Sequence, residues 1–77
     1  MTTTKEVAQW MVDRIRAEKR EYQDTMVHEI ETRFGSEWVY DNENGNPAIA
    51  SKVLTQFRKL HAGSIEWDRW ERCWSVV

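Results

Sequence analysis

The sequence predicts one α+β domain, built from three helices and a C-terminal β-hairpin and occupying residues 1–77. Three stretches carry apolar residues at the three- and four-residue spacing of an amphipathic helix. The chain then ends in two short stretches in which apolar and polar residues alternate, as in a β-strand with one buried face. A length of 77 residues suits a single domain with a small core.

The first helix is predicted over residues 4 to about 19. Thr3 and Glu6 form a capping-box pattern, in which each side chain accepts a hydrogen bond from the other residue's backbone N–H. The predicted buried stripe contains Val7, Ala8, Met11, Val12 and Ile15. Trp10 lies outside this stripe, so we expect it at the flank of the core.

The second helix follows a short extended connector, residues 21–23, of which residues 22–23 would form a strand. Asp24 is the expected N-cap, because its side chain can accept a hydrogen bond from the first turn. Gly35 is the expected stop. The apolar stripe between them contains Met26, Val27, Ile30 and Phe34.

A short strand or hairpin is predicted between the second and third helices. Residues 38–40 have high β-propensity, and Asn44-Gly45 is the strongest short-range signal of a tight turn. Pro47 has no backbone N–H to donate, so the returning strand should lie at an edge.

The third helix is predicted over residues 52–61, with Ser51 as its N-cap and Gly63 ending it. Its buried stripe contains Val53, Leu54, Phe57 and Leu60.

The tail, residues 64–77, predicts two antiparallel strands. A two-residue turn at residues 69–70 would pair Ile65 with Trp74 and Trp67 with Arg72. The guanidinium group of Arg72 would then be free to lie over the Trp67 indole. The opposite, mostly acidic face would hold Glu66, Asp68, Glu71 and Cys73.

The resulting order is helix, short strand, helix, insert, helix and hairpin. This is the order of a winged helix-turn-helix domain, with residues 64–77 as the wing and an enlarged turn or hairpin between helices two and three. A winged helix usually has a short turn at that point, whereas about fifteen residues intervene here. The same elements could also form another α+β arrangement.

Motifs spread over nearly the whole chain carry a resemblance to a known family. The most distinctive are the run Asn-Glu-Asn-Gly-Asn at residues 42–46 and the tryptophans Trp67 and Trp74. The others lie at residues 5–11, 22–23, 34–35, 53–54, 57–60 and 71–72. On these residues the chain resembles a group of small bacterial and phage proteins catalogued as a domain of unknown function, which implies no known activity. Such proteins often have glycine where this chain has Trp70, which leaves the hairpin register open.

The polar face of the third helix is the strongest functional signal. Residues 51–63 hold three bases and no acid, whereas residues 22–50 hold six acids and one base. A helix that enters a DNA major groove needs cations for phosphates and short polar side chains for base edges. The candidate binding residues on this face are Lys52, Thr55, Gln56, Arg58 and Lys59. The alternative is an ordinary solvated helix face, and the acidic segment would weaken binding to DNA.

Two tryptophans are the second signal. Trp10 lies off the core stripe, and Trp70 lies at the tip of the predicted wing. Tryptophan is enriched among the residues that dominate binding energy at protein interfaces. Either indole could anchor a protein partner or a second copy of the chain; the alternative is that both fold back onto the domain.

The sequence predicts no catalytic residues, no metal site and no cofactor. His28, His61 and Cys73 are the soft metal ligands, and none has a metal-site spacing to another. Phosphate-binding glycine loops and nucleophile elbows are also absent from the sequence. The lone cysteine, the lack of a long apolar run and an N-terminus unlike a signal peptide predict a soluble, cytoplasmic protein.

Two functional hypotheses remain. The net charge of −2 and the acidic middle segment favour a protein-interaction or regulatory accessory protein of bacterial, phage or mobile-element origin, acting on a protein partner or by self-association. The alternative is a winged-helix transcriptional regulator that binds DNA through residues 52–61 and the wing at residues 64–77. Neither hypothesis involves a membrane or a small-molecule cofactor.

Overall fold

The computed structural model describes residues 2–77, and over that range it is a mixed α+β structure with three helices and two small antiparallel sheets. The elements are α1 (Thr4–Glu18), β1 (Arg20–Tyr22), α2 (Gln23–Phe34), a 3₁₀ turn (Ser36–Trp38), β2 (Val39–Asp41), β3 (Pro47–Ile49), α3 (Ser51–His61), β4 (Ile65–Asp68) and β5 (Cys73–Val76). One sheet has the order β1–β5–β4 and the other is the pair β2–β3. The predicted α+β class is therefore confirmed.

Helix α1 follows the prediction. The Thr3 hydroxyl accepts a hydrogen bond from the Glu6 backbone N–H at 3.1 Å, which is one of the two bonds of a capping box. All five residues of the predicted apolar stripe are buried. The helix ends at Lys19, which takes a left-handed conformation and donates its N–H to the Ile15 carbonyl at 2.7 Å.

The predicted N-caps of the other two helices are wrong, whereas α2 ends at Gly35 as predicted. Tyr22 and Ala50 occupy the N-cap positions of α2 and α3, and neither makes a side-chain capping bond. Asp24 and Ser51 lie inside the first turns. The reason is that β1 and β3 lead almost directly into these helices: Tyr22 is the last residue of β1, and Ala50 directly follows β3. The Asp24 carboxylate still lies at the positive end of the α2 dipole.

The hairpin register also differs from the prediction. Trp67 pairs with Trp74 and Ile65 with Val76, so the turn comprises residues 69–72 and not residues 69–70 alone. The Asp68 carboxylate organises this turn by accepting the N–H groups of the two following turn residues at 2.9 and 3.1 Å. A shift of two residues keeps the side chains that remain in β4 and β5 on their predicted faces, because side chains alternate with a period of two.

Two expectations about this hairpin are corrected. Arg72 does not lie over Trp67; its Nη2 lies 3.9 Å from the Asp24 carboxylate, because Arg72 belongs to the turn and has φ +55°. Cys73 is fully buried and not on an exposed acidic face. Its strand, β5, is the central strand of three, paired with β1 as well as β4 and packed against α1.

The insert between α2 and α3 forms the predicted hairpin, β2–β3. Its loop, residues 42–46, is longer than a two-residue turn because Asn42 organises it. The Asn42 carboxamide oxygen accepts the N–H groups of Asn44 and Asn46 at 2.9 and 3.0 Å, and its carbonyl accepts the N–H of Gly45. Pro47 opens β3 at the edge of a two-stranded sheet, as expected.

One apolar core joins these elements. α1 packs against α3, and the core continues through α2 to the buried Trp38 and Trp74. An ionic network closes the surface over α1, β1 and α2. Arg14 donates to the Glu21 carboxylate at 3.0 Å, and this hydrogen bond raises the pKa of the Arg14 guanidinium. None of the helices within residues 2–77 has the length and apolar character needed to cross a membrane.

Candidate functional site

The polar face of α3 is exposed, but its residues are not equivalent. The Lys52 ammonium group lies over the Trp38 ring, 4.8 Å from the centroid, and Thr55 donates its hydroxyl to the Ser51 carbonyl at 3.0 Å. Arg58 and Lys59 are exposed. Throughout the described chain, no carboxylate comes within 4.0 Å of the side-chain nitrogens of the three α3 cations. Gln56 is half-buried.

The turn between β4 and β5 does not extend this positive surface. Its two arginines point elsewhere: Arg69 stacks on the Trp70 ring at 5.2 Å, and Arg72 is directed towards Asp24. Three carboxylates lie on or beside the same turn, from Glu66, Asp68 and Glu71. The cationic surface is therefore confined to α3 and its immediate neighbours.

The two candidate tryptophans have opposite environments. Trp10 packs edge-on against Phe34 with 5.9 Å between ring centroids, and the Arg33 guanidinium lies 5.4 Å from its ring. It is therefore held by the domain itself. Trp70 is 85% exposed in the β4–β5 turn and is available to a partner.

A cleft of about 510 Å³ lies between α3, the β2–β3 hairpin and the three-stranded sheet. Four aromatic side chains from four separate elements line it: Tyr40, Phe57, Trp67 and Trp74. Aliphatic and polar residues complete the wall, namely Gln23, Ala48, Ile49, Leu54, Arg58, His61 and Ile65. We call this surface the aromatic cleft.

The aromatic cleft has a buried interior and a rim of side chains that are open to solvent. The Trp74 ring lies 5.6 Å from Phe57 and 4.8 Å from Trp67, measured between centroids. Phe57 and Trp74 are buried and form the interior, whereas Trp67 and Tyr40 are 44% and 50% exposed and form the rim. Apolar side chains that a folded domain leaves half-exposed around a concavity are typical of a binding site.

The charged groups of the aromatic cleft are cationic. Arg58 and His61 line it, and the lining side chains include no carboxylate. Burial lowers the pKa of His61, and the charges of Arg16 and Arg58 lower it further. The Nδ1 atom of His61 accepts the Gly63 N–H at 3.1 Å, which fixes the neutral imidazole as the tautomer protonated on Nε2.

The lowered pKa of His61 predicts a pH effect on stability. Because the folded-state pKa lies below the value of about 6.5 in an unfolded chain, neutral His61 stabilises the fold above that pH, and this contribution is lost as pH falls through the folded-state pKa. We expect NMR titration of the His61 ring to give a pKa below about 6.5. We also expect His61→Gln to reduce the loss of stability on acidification relative to the wild type. A pKa at or above the unfolded value would contradict the proposed environment.

A second, more polar cleft of about 390 Å³ lies between α2 and the β2–β3 hairpin and includes Asp24, His28, Glu31 and Asp41. These side chains do not converge on a metal site: within residues 2–77, no three His, Cys, Asp or Glu residues are arranged to hold an ion. This cleft supports no specific chemistry.

The structure brings together only part of the predicted site. Arg58 alone among the predicted residues lines the aromatic cleft. Five of the lining residues were assigned to the core stripe of α3 or to the inward face of the hairpin: Leu54, Phe57, Ile65, Trp67 and Trp74. Their sequence positions gave no signal of a cleft, because the β2–β3 hairpin that forms one wall comes from a different part of the chain.

The sequence model of a family described as "Family of unknown function (DUF6953)" matches residues 3–76, so the chain belongs to this family. The match confirms the expected membership of a family of unknown function. Comparisons with curated proteins and with solved structures gave no match.

Proposed function

We propose that this member of the DUF6953 family is a protein-interaction module whose aromatic cleft receives a short segment of a partner protein. The observation that carries the proposal is the convergence of four aromatic rings, from β2, α3, β4 and β5, on one concave surface. Aromatic residues dominate the binding energy of protein interfaces, especially where they lie in pockets that exclude water.

The size and exposure of the cleft support this proposal. A volume of about 510 Å³ lies within the usual range for ligand pockets and accommodates one or two large side chains. Contact with a partner would remove Trp67 and Tyr40 from water and stabilise the complex by about 25 cal/mol for each Å² of apolar surface buried.

The cleft chemistry favours binding over catalysis. The lining side chains include two acid–base groups, the His61 imidazole and the Tyr40 phenol, and no serine, cysteine or carboxylate. A nucleophile next to a base is the minimum for covalent catalysis, and these side chains do not supply it.

The proposal is tested by selecting random short peptides, displayed on phage, against the immobilised protein. We expect selected peptides to bind the wild type and to lose at least tenfold in affinity with Trp67→Ala, about 1.4 kcal/mol or more. Trp70→Ala is the matched control, because it removes an equally large and more exposed indole outside the cleft. Equal losses for the two variants would contradict the proposal.

A second variant controls for misfolding of the first. Trp67 contacts the buried Trp74, so its removal could disturb the sheet. Tyr40→Ala removes the rim side chain that the β2–β3 hairpin contributes, and this ring is half-exposed. Loss of binding in both variants, with thermal unfolding close to that of the wild type, assigns the effect to the cleft.

Binding of DNA as a winged helix is the second candidate function. The observation that favours it is the sheet order, in which the C-terminal strand β5 lies between β1 and β4. The helix that precedes this hairpin in the chain, α3, carries three cations with no carboxylate within 4.0 Å among residues 2–77. This arrangement suits a winged helix with α3 as the recognition helix and residues 64–77 as the wing. The carboxylates of the β4–β5 turn reduce its attraction for phosphates, which is why protein binding is the first proposal.

Duplex binding in a salt titration tests this second candidate. Lys59→Glu should abolish salt-dependent binding to duplex DNA if α3 contacts phosphates. Lys59 is a better choice than Lys52, because the Lys52 ammonium group also stabilises the fold through its contact with Trp38. Undetectable duplex binding by the wild type at low salt would remove this candidate.

The biological setting remains a prediction. The resemblance suggests a bacterial, phage or mobile-element origin, and the acidic middle segment favours an accessory or regulatory role in the cytoplasm. Self-association through the exposed Trp70 is an alternative to a separate partner, and sedimentation equilibrium of the wild type beside Trp70→Ala distinguishes the two.

A further inference from the structure

We infer that the segment bound in the aromatic cleft is acidic: a short stretch of a protein partner that places a large apolar side chain in the cleft and an aspartate or glutamate beside it. The inference rests on the proposed function and specifies the chemistry of the partner. Its basis is the distribution of charge around the cleft.

Among the side chains that line the cleft, Arg58 is positive and His61 becomes positive on protonation, and no lining side chain is a carboxylate. Arg58 lines the cleft and has no carboxylate within 4.0 Å among residues 2–77. Arg16 lies next to the same end, since its Nη2 donates to the Ser64 hydroxyl at 3.3 Å and its charge lowers the pKa of His61. A carboxylate brought to Arg58 would form a charge-assisted hydrogen bond, which a guanidinium group can make with two parallel N–H donors.

The apolar part of the ligand follows from the interior of the cleft. Phe57 and Trp74 present their rings at its base, and Leu54 and Ile65 flank them. An aromatic or long aliphatic side chain is complementary to this base, and edge-to-face contact with another ring adds to the gain from burial.

The acidic residues near the cleft favour a peptide over a nucleic acid. Glu66 and Asp68 flank Trp67 along β4, and Glu71 lies in the turn that follows. A nucleic acid carries a negative charge on every nucleotide and would bring phosphates close to these carboxylates. A peptide can place a carboxylate at Arg58 alone.

The test compares peptides selected on the wild type with those selected on Arg58→Glu. We expect the wild type to enrich peptides with Asp or Glu next to Trp, Phe or Leu. A synthetic peptide of the enriched sequence should lose at least tenfold in affinity with Arg58→Glu and should bind more weakly as salt rises. Lys59→Glu is the matched control, since it makes the same charge change on the adjacent residue of α3, outside the cleft lining, and should have a much smaller effect.

The outcomes separate the inference from the proposed function. Selected peptides that are neutral or basic, and that require Trp67 but not Arg58, would overturn the acidic partner and leave the cleft as the site. Peptides that bind the Trp67 and Tyr40 variants as well as they bind the wild type would overturn both the acidic partner and the aromatic cleft as the binding site. If an oligothymidine strand binds more tightly than any selected peptide, and if its binding depends on Arg58, the ligand of the cleft is a single-stranded nucleic acid and not an acidic peptide.

Discussion

Replacing Phe57 by alanine is expected to lower the free energy of unfolding by about 3–5 kcal/mol, the usual cost of removing a buried phenylalanine. Phe57 is 2% exposed, and its ring meets Trp74 and His61 edge-on at centroid distances of 5.6 and 4.7 Å. The substitution therefore removes apolar contacts and two aromatic interactions, and it leaves a cavity between α3 and the sheet.

This loss is large for a domain of this size, whose total stability is expected to be about 4–12 kcal/mol. Urea unfolding followed by tryptophan fluorescence measures the change. Leu54→Ala is the control on the same helix, because Leu54 is only half-buried and should cost less. A loss for Phe57→Ala no greater than that for Leu54→Ala would contradict the packing of α3 described above.

Gly35→Ala is expected to cost about 1–3 kcal/mol, although the site has room for a methyl group. Gly35 ends α2 with φ +113° and ψ 162°, a region that is essentially restricted to glycine. A Cβ at this position would lie 3.7 Å from its nearest neighbour, a Glu37 carboxylate oxygen, which is an ordinary contact. The cost therefore comes from the backbone and not from a clash.

Substitution by asparagine provides the matched comparison for Gly35. Gly45 has φ +75°, close to the left-handed region that asparagine tolerates, and a Cβ there has nothing within 4 Å. Gly45→Asn should thus cost less than about 1 kcal/mol, whereas Gly35→Asn should cost about as much as Gly35→Ala. Chemical denaturation of the three variants measures these differences, and equal costs for the two asparagine variants would argue against the strained end of α2.

The helices could be predicted because their positions depend on local periodicity. The α1 stripe from Val7 to Ile15 is buried in full, and Phe57 lies in the core of α3 as its spacing predicted. The polar N-caps predicted for α2 and α3 are wrong for a physical reason. A cap preference describes an isolated helix end, whereas the strands that precede α2 and α3 determine which residue occupies the N-cap position here.

The hairpin register could be predicted only in part. The alternation of side chains fixed which residues share a face with Trp67, but the turn length depends on Asp68, whose carboxylate accepts two backbone N–H groups of the turn. Aspartate in this position signals such a turn. The turn prediction rested instead on a two-residue loop at Arg69 and Trp70.

The aromatic cleft could not be predicted from local patterns. Its walls come from α3, β4–β5 and the β2–β3 hairpin, and nothing in the sequence around Tyr40 indicates that this ring lies across from Trp67. Conversely, Trp10 looked available on the helical wheel, but Phe34 and Arg33 from α2 cover its ring. Contacts between distant segments decide both cases.

Fluorine NMR of protein labelled with fluorotryptophan tests the cleft most directly, since two of the five tryptophans, Trp67 and Trp74, line it and the other three do not. Each signal is assigned by substitution, and a selected peptide is then titrated in. If the cleft is the binding site, the signals of Trp67 and Trp74 move on binding, while those of Trp10 and Trp38 stay in place. Stationary Trp67 and Trp74 signals, with a shift at Trp10 or at Trp70 alone, would contradict the proposed site.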